Sequence, residues 1–352
     1  MDAVLSLQKK DFDPLYPVVC IDMFALAHFM YHSGVKDKVK EGTGKKLEEV
    51  NIQTSGRKDG NVYPRMALKM IRYIEELAET GKHIYLLFDN ATSKVQARQY
   101  ISETYKSSRT NKPNVFYRTV DFVQFYATQT CNSNVKIIRV PSREADDLIK
   151  SLLLFNEAHE GLEAPLKFPD MDKEDKILCV ANDSDWYACL GPQVHMVWFG
   201  DTEPYTEESF INEFGFKPTM KRVAVYKALM GDTSDDIEPI LRKKDLDHDT
   251  LIYIIEHYGV GDYADVLPVL IAKDDKVCQK VKDILREKRE KYQINLKLTD
   301  YMPTSLSRIH RYTFQGKGNQ LMRKTLMKVL LAMIDDSSPI KKFNFGGMSA
   351  NV

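Results

Sequence analysis

Nine carboxylates recur in five short blocks of this chain: Asp22; Asp89; Glu144, Asp146 and Asp147; Asp183 and Asp185; and Asp232 and Asp235. No zinc-type spacing of histidine or cysteine accompanies them. A ligand set made only of carboxylate oxygens selects a hard cation, Mg²⁺ or Mn²⁺. More acids than one ion needs point to two ions about 4 Å apart, which activate water and stabilise the leaving oxygen in phosphodiester hydrolysis. No side-chain nucleophile is then required. The block Glu144-Ala145-Asp146-Asp147 puts three carboxylates in four positions at a helix start. The helix dipole favours acids there by roughly 0.3–1 kcal/mol each, enough for one or two. Three adjacent acids repel one another unless a cation neutralises them. In Asp183-Ser184-Asp185 the alternate spacing lets two carboxylates on an extended segment face one ion.

These acids must be carried by elements that bring them together. Val18–Asp22, Ile84–Asp89, Lys136–Val140, Ile177–Ala181 and His195–Phe199 are nearly continuous apolar, β-branched runs. Such runs predict strands buried on both faces, hence a largely parallel sheet flanked by helices, an α/β fold. Helical spacing over Met66–Leu77 and Glu144–Phe155, the latter after a capping Ser142, supplies crossovers. Asp22 and Asp89 then end strands, and the carboxyl ends of a parallel sheet line the ligand crevice. One such aspartate would be read as a turn or helix cap; the recurrence favours a site. Gly34 to Asn61, rich in Lys, Gly and Glu, reads as a mobile surface loop. After about residue 205 helical patterns dominate: Pro218–Met230, Thr250–Tyr258, Val277–Tyr292 and Gln320–Ile334.

Lys94 to Arg118 carries six basic residues against Glu103, a local charge of +5. Ser93-Lys94-Val95-Gln96 reads as a capping box opening a helix, and Lys106 and Arg109 at i,i+3 share a face if that helix persists. A solvated basic helix is the plain alternative.

Asp22, Phe88-Asp89, Glu144-Ala145-Asp146-Asp147, Asp183-Ser184-Asp185 and Gly231-Asp232-Thr233-Ser234-Asp235, in this order and at these intervals, resemble the flap endonuclease / 5′-3′ exonuclease family of PIN-like nucleases, most of all its stand-alone bacteriophage members. The resemblance covers roughly residues 17–240. It implies a PIN-like core over 1–205, a helical arch over about 92–118, and a helical C-terminal DNA-binding region over 206–352. By resemblance, Asp22, Asp89, Glu144, Asp146 and Asp183 serve the first metal, and Asp147, Asp185, Asp232 and Asp235 are the outer acids. Tyr105, Lys106 and Arg109 match the Tyr-Lys-x-x-Arg pattern at the arch base that reaches the scissile phosphate. Lys106 and Arg109 are expected to stabilise phosphoryl charge and Tyr105 to stack on a base. Lys94, Arg98 and Lys112 are expected to guide phosphates.

The chain departs from the family after its last acid block. Asp236-Ile237-Glu238-Pro239-Ile240-Leu241-Arg242-Lys243-Lys244 contains no glycine, so the backbone approach to duplex phosphate lacks its sequence basis, as does the associated potassium site. Arg242, Lys243 and Lys244 are candidates to replace it in this atypical helix-three-turn-helix. Beyond residue 305 the charge reaches +6, while Leu326, Val329 and Leu330 show that the last helix also packs. Trp186 and Trp198 read as core residues, and His28 and His32 as structural.

Composition sets the outer bounds. The 352 residues are 43% hydrophobic, enough for real cores, which excludes a disordered polyelectrolyte. Fifty basic residues balance fifty acidic ones, so the neutral total hides an acidic pocket among basic stretches. Five irregularly spaced cysteines, no long apolar run and no signal-type N-terminus fit a cytoplasmic protein, in the host cytoplasm if the source is a phage. The expectation is a metal-dependent, structure-selective 5′ nuclease acting on DNA flaps or RNA primers as a monomer, with a single-strand-binding protein or another replisome component as candidate partner. The rival readings are a PIN-like ribonuclease on single-stranded RNA and a catalytically silent nucleic-acid-binding protein.

Overall fold

The computed structural model describes residues 14–38, 62–90, 97–108, 112–158, 166–201 and 203–335. The first half runs β1 (Val18–Asp22), α1 (Met23–Lys38), α2 (Val62–Glu79), β2 (His83–Leu87), α3 (Asn114–Thr130), β3 (Val135–Ile138), α4 (Ala145–Ala158), β4 (Ile177–Val180) and β5 (Val194–Val197). The second half is α5 (Glu207–Phe214), α6 (Met220–Met230), α7 (His248–Tyr258), α8 (Leu267–Ile271), α9 (Gln279–Glu287), α10 (Arg289–Thr299), α11 (Leu306–Arg311), β6 (Thr313–Gln315) and α12 (Gln320–Asp335). The six strands lie in the order β5-β4-β1-β2-β3-β6. All pairs are parallel except β3 with β6.

Alternation explains why the strands are apolar throughout. Val18 and Cys20 of β1, Tyr85 and Leu87 of β2 and Cys179 of β4 join one core with α4, α6, α7 and α10. Val19 and Ile21, Ile84 and Leu86, and Leu178 and Val180 join a second core with α1, α2, α3 and α12. A strand covered on both faces needs an apolar residue at every position. Trp186 lies in the first core, whereas Trp198 is half-buried against Tyr187. His28 packs against Phe116, the rings tilted by 49° with centroids 4.9 Å apart.

Two sequence expectations change. The first helix runs on to Lys38, so residues 34–38, expected as part of a loop, are helical, and 39–61 lie outside the described residues. The single helix expected over Val277–Tyr292 is two, broken at Lys288 with φ −99° and ψ 22°. The C-terminal region is mostly helical as expected, and β6 adds one strand at the sheet edge with Ile137 opposite Phe314. Among the described residues no helix is long and apolar enough to cross a membrane, and no two of the five cysteines are bonded.

Candidate active site

The sheet brings three acids onto neighbouring strands. Asp22 ends β1 opposite Leu87, Asp89 follows β2, and Asp183 follows β4, on the other side of β1. Adjacent strands are about 4.8 Å apart, so the three carboxylates span roughly 10 Å of one sheet edge. Each also serves the backbone. Asp22 Oδ1 accepts the N–H groups of Phe24 and Ala25 at 3.0 and 2.9 Å, capping α1. Asp89 Oδ1 accepts Ala145 N–H at 2.7 Å, across from β2 to the start of α4. Asp183 Oδ1 accepts Asp185 N–H at 3.0 Å, capping a short 3-10 turn over Ser184–Cys189. Capping and ligation are thus not alternatives here: one oxygen fixes the side chain and the other stays available.

No basic side chain lies within ion-pair distance of these three among the described residues, although Lys106 acts on Asp89 and Asp183, and Lys227 on Asp183, from farther off. Burial, then Asp89 and Asp183, raise the Asp22 carboxyl well above its usual range. Burial and Glu144 push Asp89 up to about 6. Burial and Asp185 raise Asp183.

The other six acids each meet a cation or a hydroxyl donor inside the protein, although burial and neighbouring acids still push Asp147, like Asp235, up to about 7. Glu144 takes Arg98 at 2.7 Å on one oxygen and Lys106 at 2.7 Å on the other, with the Tyr105 hydroxyl donating at 3.2 Å. Asp146 pairs with Lys150 at 2.8 Å, one helical turn on. Burial opposes its charged form, but Lys150 and Arg98 outweigh that and hold it below the usual carboxylate range. Asp147 receives Arg98 on both oxygens, at 3.1 and 2.9 Å, and Met302 N–H at 2.9 Å. Lys227 of α6 touches Asp185 and lies 2.9 Å from Asp232. It keeps both carboxyls below their usual range against the opposing effect of burial. Asp235 accepts the Tyr105 hydroxyl at 2.8 Å and lies 3.7 Å from Lys106; burial pushes it up to about 7.

The carriers of these outer acids are shaped for the task. Gly231 at φ +79° turns the chain out of α6 into the Asp232–Asp235 loop, and a Cβ there would lie 2.7 Å from Ile237 O and Pro239 N. Lys106 itself is left-handed at φ 56°, its N–H donating to Asp235 O at 3.1 Å. The 97–108 segment is therefore clasped onto the acid loop.

Residues 17–215 match a family model described as 5′-3′ exonuclease, N-terminal resolvase-like domain. The chain belongs to the 5′-3′ exonuclease family. Among solved structures it is similar to the D15 protein of bacteriophage T5 co-crystallised with metal ions, at 17% identity and a TM-score of 0.53, over 90% of this chain and 99% of that one. It is similar as well to a variant of the T5 D15 flap endonuclease in a pseudo-enzyme-product complex with DNA and metal ions, at 16% identity and a TM-score of 0.52, over 91% and 99%. A comparison with curated proteins returned no match.

Within this 5′-3′ exonuclease the basic segment differs from expectation. Arg98, expected on the surface as a phosphate guide, is 3% exposed and locked among Glu144, Asp147 and the Asp300 carbonyl. Tyr105, expected to stack on a base, is 1% exposed and spends its hydroxyl on Asp235 and Glu144. Residues 97–100 form one 3-10 turn and 101–108 only turns, so the expected continuous arch helix is absent from the described part. Lys94 and Arg109 lie outside the described residues. Lys112 is half-buried, 5.3 Å from the Tyr31 ring centroid. Arg242, Lys243 and Lys244 are exposed on the turn between α6 and α7. Sequence reading missed Lys150 and Lys227. The first had a signal, its i,i+4 spacing from Asp146; the second had none.

The donor chemistry fits divalent ions: oxygen ligands only, buried or half-buried, and three of them without a cation in contact among the described residues. Among the described residues no three acids yet converge as a closed cage, since six are turned toward Arg98, Lys106, Lys150, Lys227 or Tyr105.

Proposed function

We propose that this 5′-3′ exonuclease family member is a metal-dependent, structure-selective 5′ nuclease that hydrolyses phosphodiesters of DNA flaps or RNA primers in replication. The observation that carries this reading is the row Asp183, Asp22 and Asp89 at the ends of the adjacent strands β4, β1 and β2, each held by backbone N–H and none in ion-pair contact with a cation among the described residues. These three, with Glu144 and Asp146, would hold a first Mg²⁺ or Mn²⁺; Asp185, Asp232 and Asp235 would hold a second, and Asp147 braces the set from behind. When bound, such ions activate water and stabilise the leaving oxygen.

The chain's own residues do the rest. Lys106 Nζ sits on Glu144, so a phosphoryl oxygen arriving there meets a preplaced ammonium that stabilises its developing charge. Tyr105 fixes the carboxylates of Asp235 and Glu144 relative to each other. Arg109 is assigned to the same phosphate, Lys94 and Lys112 to the strand entering it, and Arg242, Lys243 and Lys244 to duplex backbone. The proposed division is a nuclease core over 1–205 and a DNA-binding region over 206–352. The protein would act as a monomer in the cytoplasm, with single-strand-binding or replisome proteins as partners.

Purified protein incubated with end-labelled flap, nicked and blunt DNA and with single-stranded RNA, in Mg²⁺ and in EDTA, tests this. Junction-dependent, EDTA-sensitive release of 5′ fragments is expected. Cleavage of single-stranded RNA without regard to a junction would transfer the chain to the ribonuclease reading, and binding without cleavage would leave a silent binding protein.

A further inference from the structure

Lys227 projects from the last turn of α6 with only 7% of its side chain exposed. Its ammonium donates to Ser184 Oγ at 2.8 Å, touches Asp185 and lies 2.9 Å from Asp232. A lysine has three N–H donors, and here three oxygens use them. Lys150 neutralises Asp146 in the same way at 2.8 Å with 3% exposure. Asp22, Asp89 and Asp183 have no cation within ion-pair distance among the described residues, though Lys227 acts on Asp183 from farther off. The two halves of the acid cluster therefore demand different amounts of added charge.

We infer that Lys227 is a built-in placeholder for a second cation, so that the free protein takes up one divalent ion and acquires another only together with a phosphate-bearing strand. This rests on the metal-dependent nuclease reading. A divalent ion entering between Asp185 and Asp232 in the free protein must evict a fully bonded ammonium, and the one other carboxylate that acts on it, Asp183, is assigned to the first ion. Breaking a buried pair and stranding one partner is strongly unfavourable. A phosphodiester bound beside the acids changes that balance, because it gives the displaced ammonium a new anion to bond. Lysine suits the exchange, being a compact charge on a flexible stem that can swing between partners. Ion and strand then each raise the other's affinity by the same factor, as linkage requires. Premature cleavage of unaligned strands is suppressed, because the second site fills only when a phosphate is in place.

Mn²⁺ titration of the full chain decides it, read by calorimetry and by the electron paramagnetic resonance of bound Mn²⁺. One ion per chain is expected without DNA, and two with a flap oligonucleotide carrying phosphorothioates at the junction, the second ion producing an exchange-coupled Mn²⁺ pair. Lys227→Met should bind two ions without DNA, its second site tightened by about tenfold or more. Two ions of similar affinity in the free wild-type protein would overturn the placeholder and leave the nuclease reading intact. No ion bound under any condition would overturn that reading instead. Should Lys227→Met fail to fold by its circular dichroism melt, the wild-type titrations with and without DNA decide alone.

Discussion

Asp22, Asp89 and Asp183 hold backbone N–H groups and, among the described residues, no cation within ion-pair distance, whereas Asp146, Asp147, Asp185 and Asp232 each face an ammonium or guanidinium less than 8% exposed. Both groups line the same cleft. The difference follows from what carries them. A strand end places an acid beside its neighbours on adjacent strands, and the next residues along the chain turn away into a helix. Nothing on the strand can return to neutralise it. An acid on or beside a helix can be met by a lysine one turn on, as Asp146 meets Lys150, or by a packed helix, as Asp185 and Asp232 meet Lys227. The strand-end row stores repulsion that a divalent ion can relieve. The helix-side group builds folded stability and positions the row.

Exchanging a member of each group separates the two roles. Asp183→Asn keeps an oxygen for the Asp185 N–H and removes one uncompensated charge. Single-turnover cleavage of a flap substrate should fall by about a thousandfold or more, the scale of losing an essential catalytic group, while the metal-free protein melts no lower than wild type. Asp147→Ala should do the reverse in stability. It removes two of the hydrogen bonds of Arg98, whose guanidinium is 3% exposed and keeps Glu144, and urea unfolding should show a loss of about 2–3 kcal/mol, the scale of buried hydrogen bonds to a charged group. Equal stability effects at the two positions would erase the distinction.

Protons offer a gentler probe, one that reads members of both groups together. Asp89 is pushed up to about 6 and Asp235 to about 7, chiefly by burial, from an unfolded value of 3.8. A carboxyl whose folded pKa is raised holds its proton more tightly when folded, so its stabilising contribution is full below the unfolded value and lost as pH climbs through the folded one. The metal-free protein should therefore melt higher at pH 5.5 than at pH 8. Saturating Mg²⁺ should flatten that slope, because the ion replaces the protons as the neutralising charge. A metal-free melting temperature that rises with pH would contradict the raised values.

Much of this was legible in the residues and some was not, for identifiable reasons. The strands β1 to β5 announced themselves because burial on both faces forces apolar residues at every position. Thr313-Phe314-Gln315 has one apolar residue in three, and becomes a strand only because β3 offers an unpaired edge. The acid row was legible because strand order and capping are local rules. Arg98 was not, since a basic residue in a basic segment looks the same whether it meets water or three carboxylates. Its destination depends on the fold of residues 98 to 300, far beyond any sequence window. Tyr105 was misread for the same reason: the aromatic residue beside Lys106 is buried by the Asp235 loop that folds over it.

Tyr105→Phe measures how tightly that loop is clasped. The change leaves the ring in place and removes the hydroxyl that joins Asp235 to Glu144, so about 1 kcal/mol of stability should be lost, the net worth of a buried hydrogen bond. Cleavage should slow by less than in Asp183→Asn, and binding of a flap should stay unchanged, because no base rests on this ring. A large loss of single-strand affinity would restore the stacking role.

The smallest effect belongs to the basic residues that touch no acid in the cleft. Arg242, Lys243 and Lys244 are exposed on the α6–α7 turn, in the place where the family's glycines would let backbone approach phosphate. Side chains that replace those contacts act through counterion release. Each lost phosphate contact should lower the slope of log affinity against log salt by about 0.9. Replacing all three by alanine should weaken duplex binding at low salt, flatten that slope by up to about three such steps, and leave cleavage at saturating substrate unaltered. The buried cations predict the opposite: Lys106→Ala slows cleavage at saturation and leaves the salt slope nearly unchanged, because its charge is already spent on Glu144 and Asp235. If the turn variant keeps the full salt slope, duplex DNA is held elsewhere, and the cations of this chain divide differently from its acids.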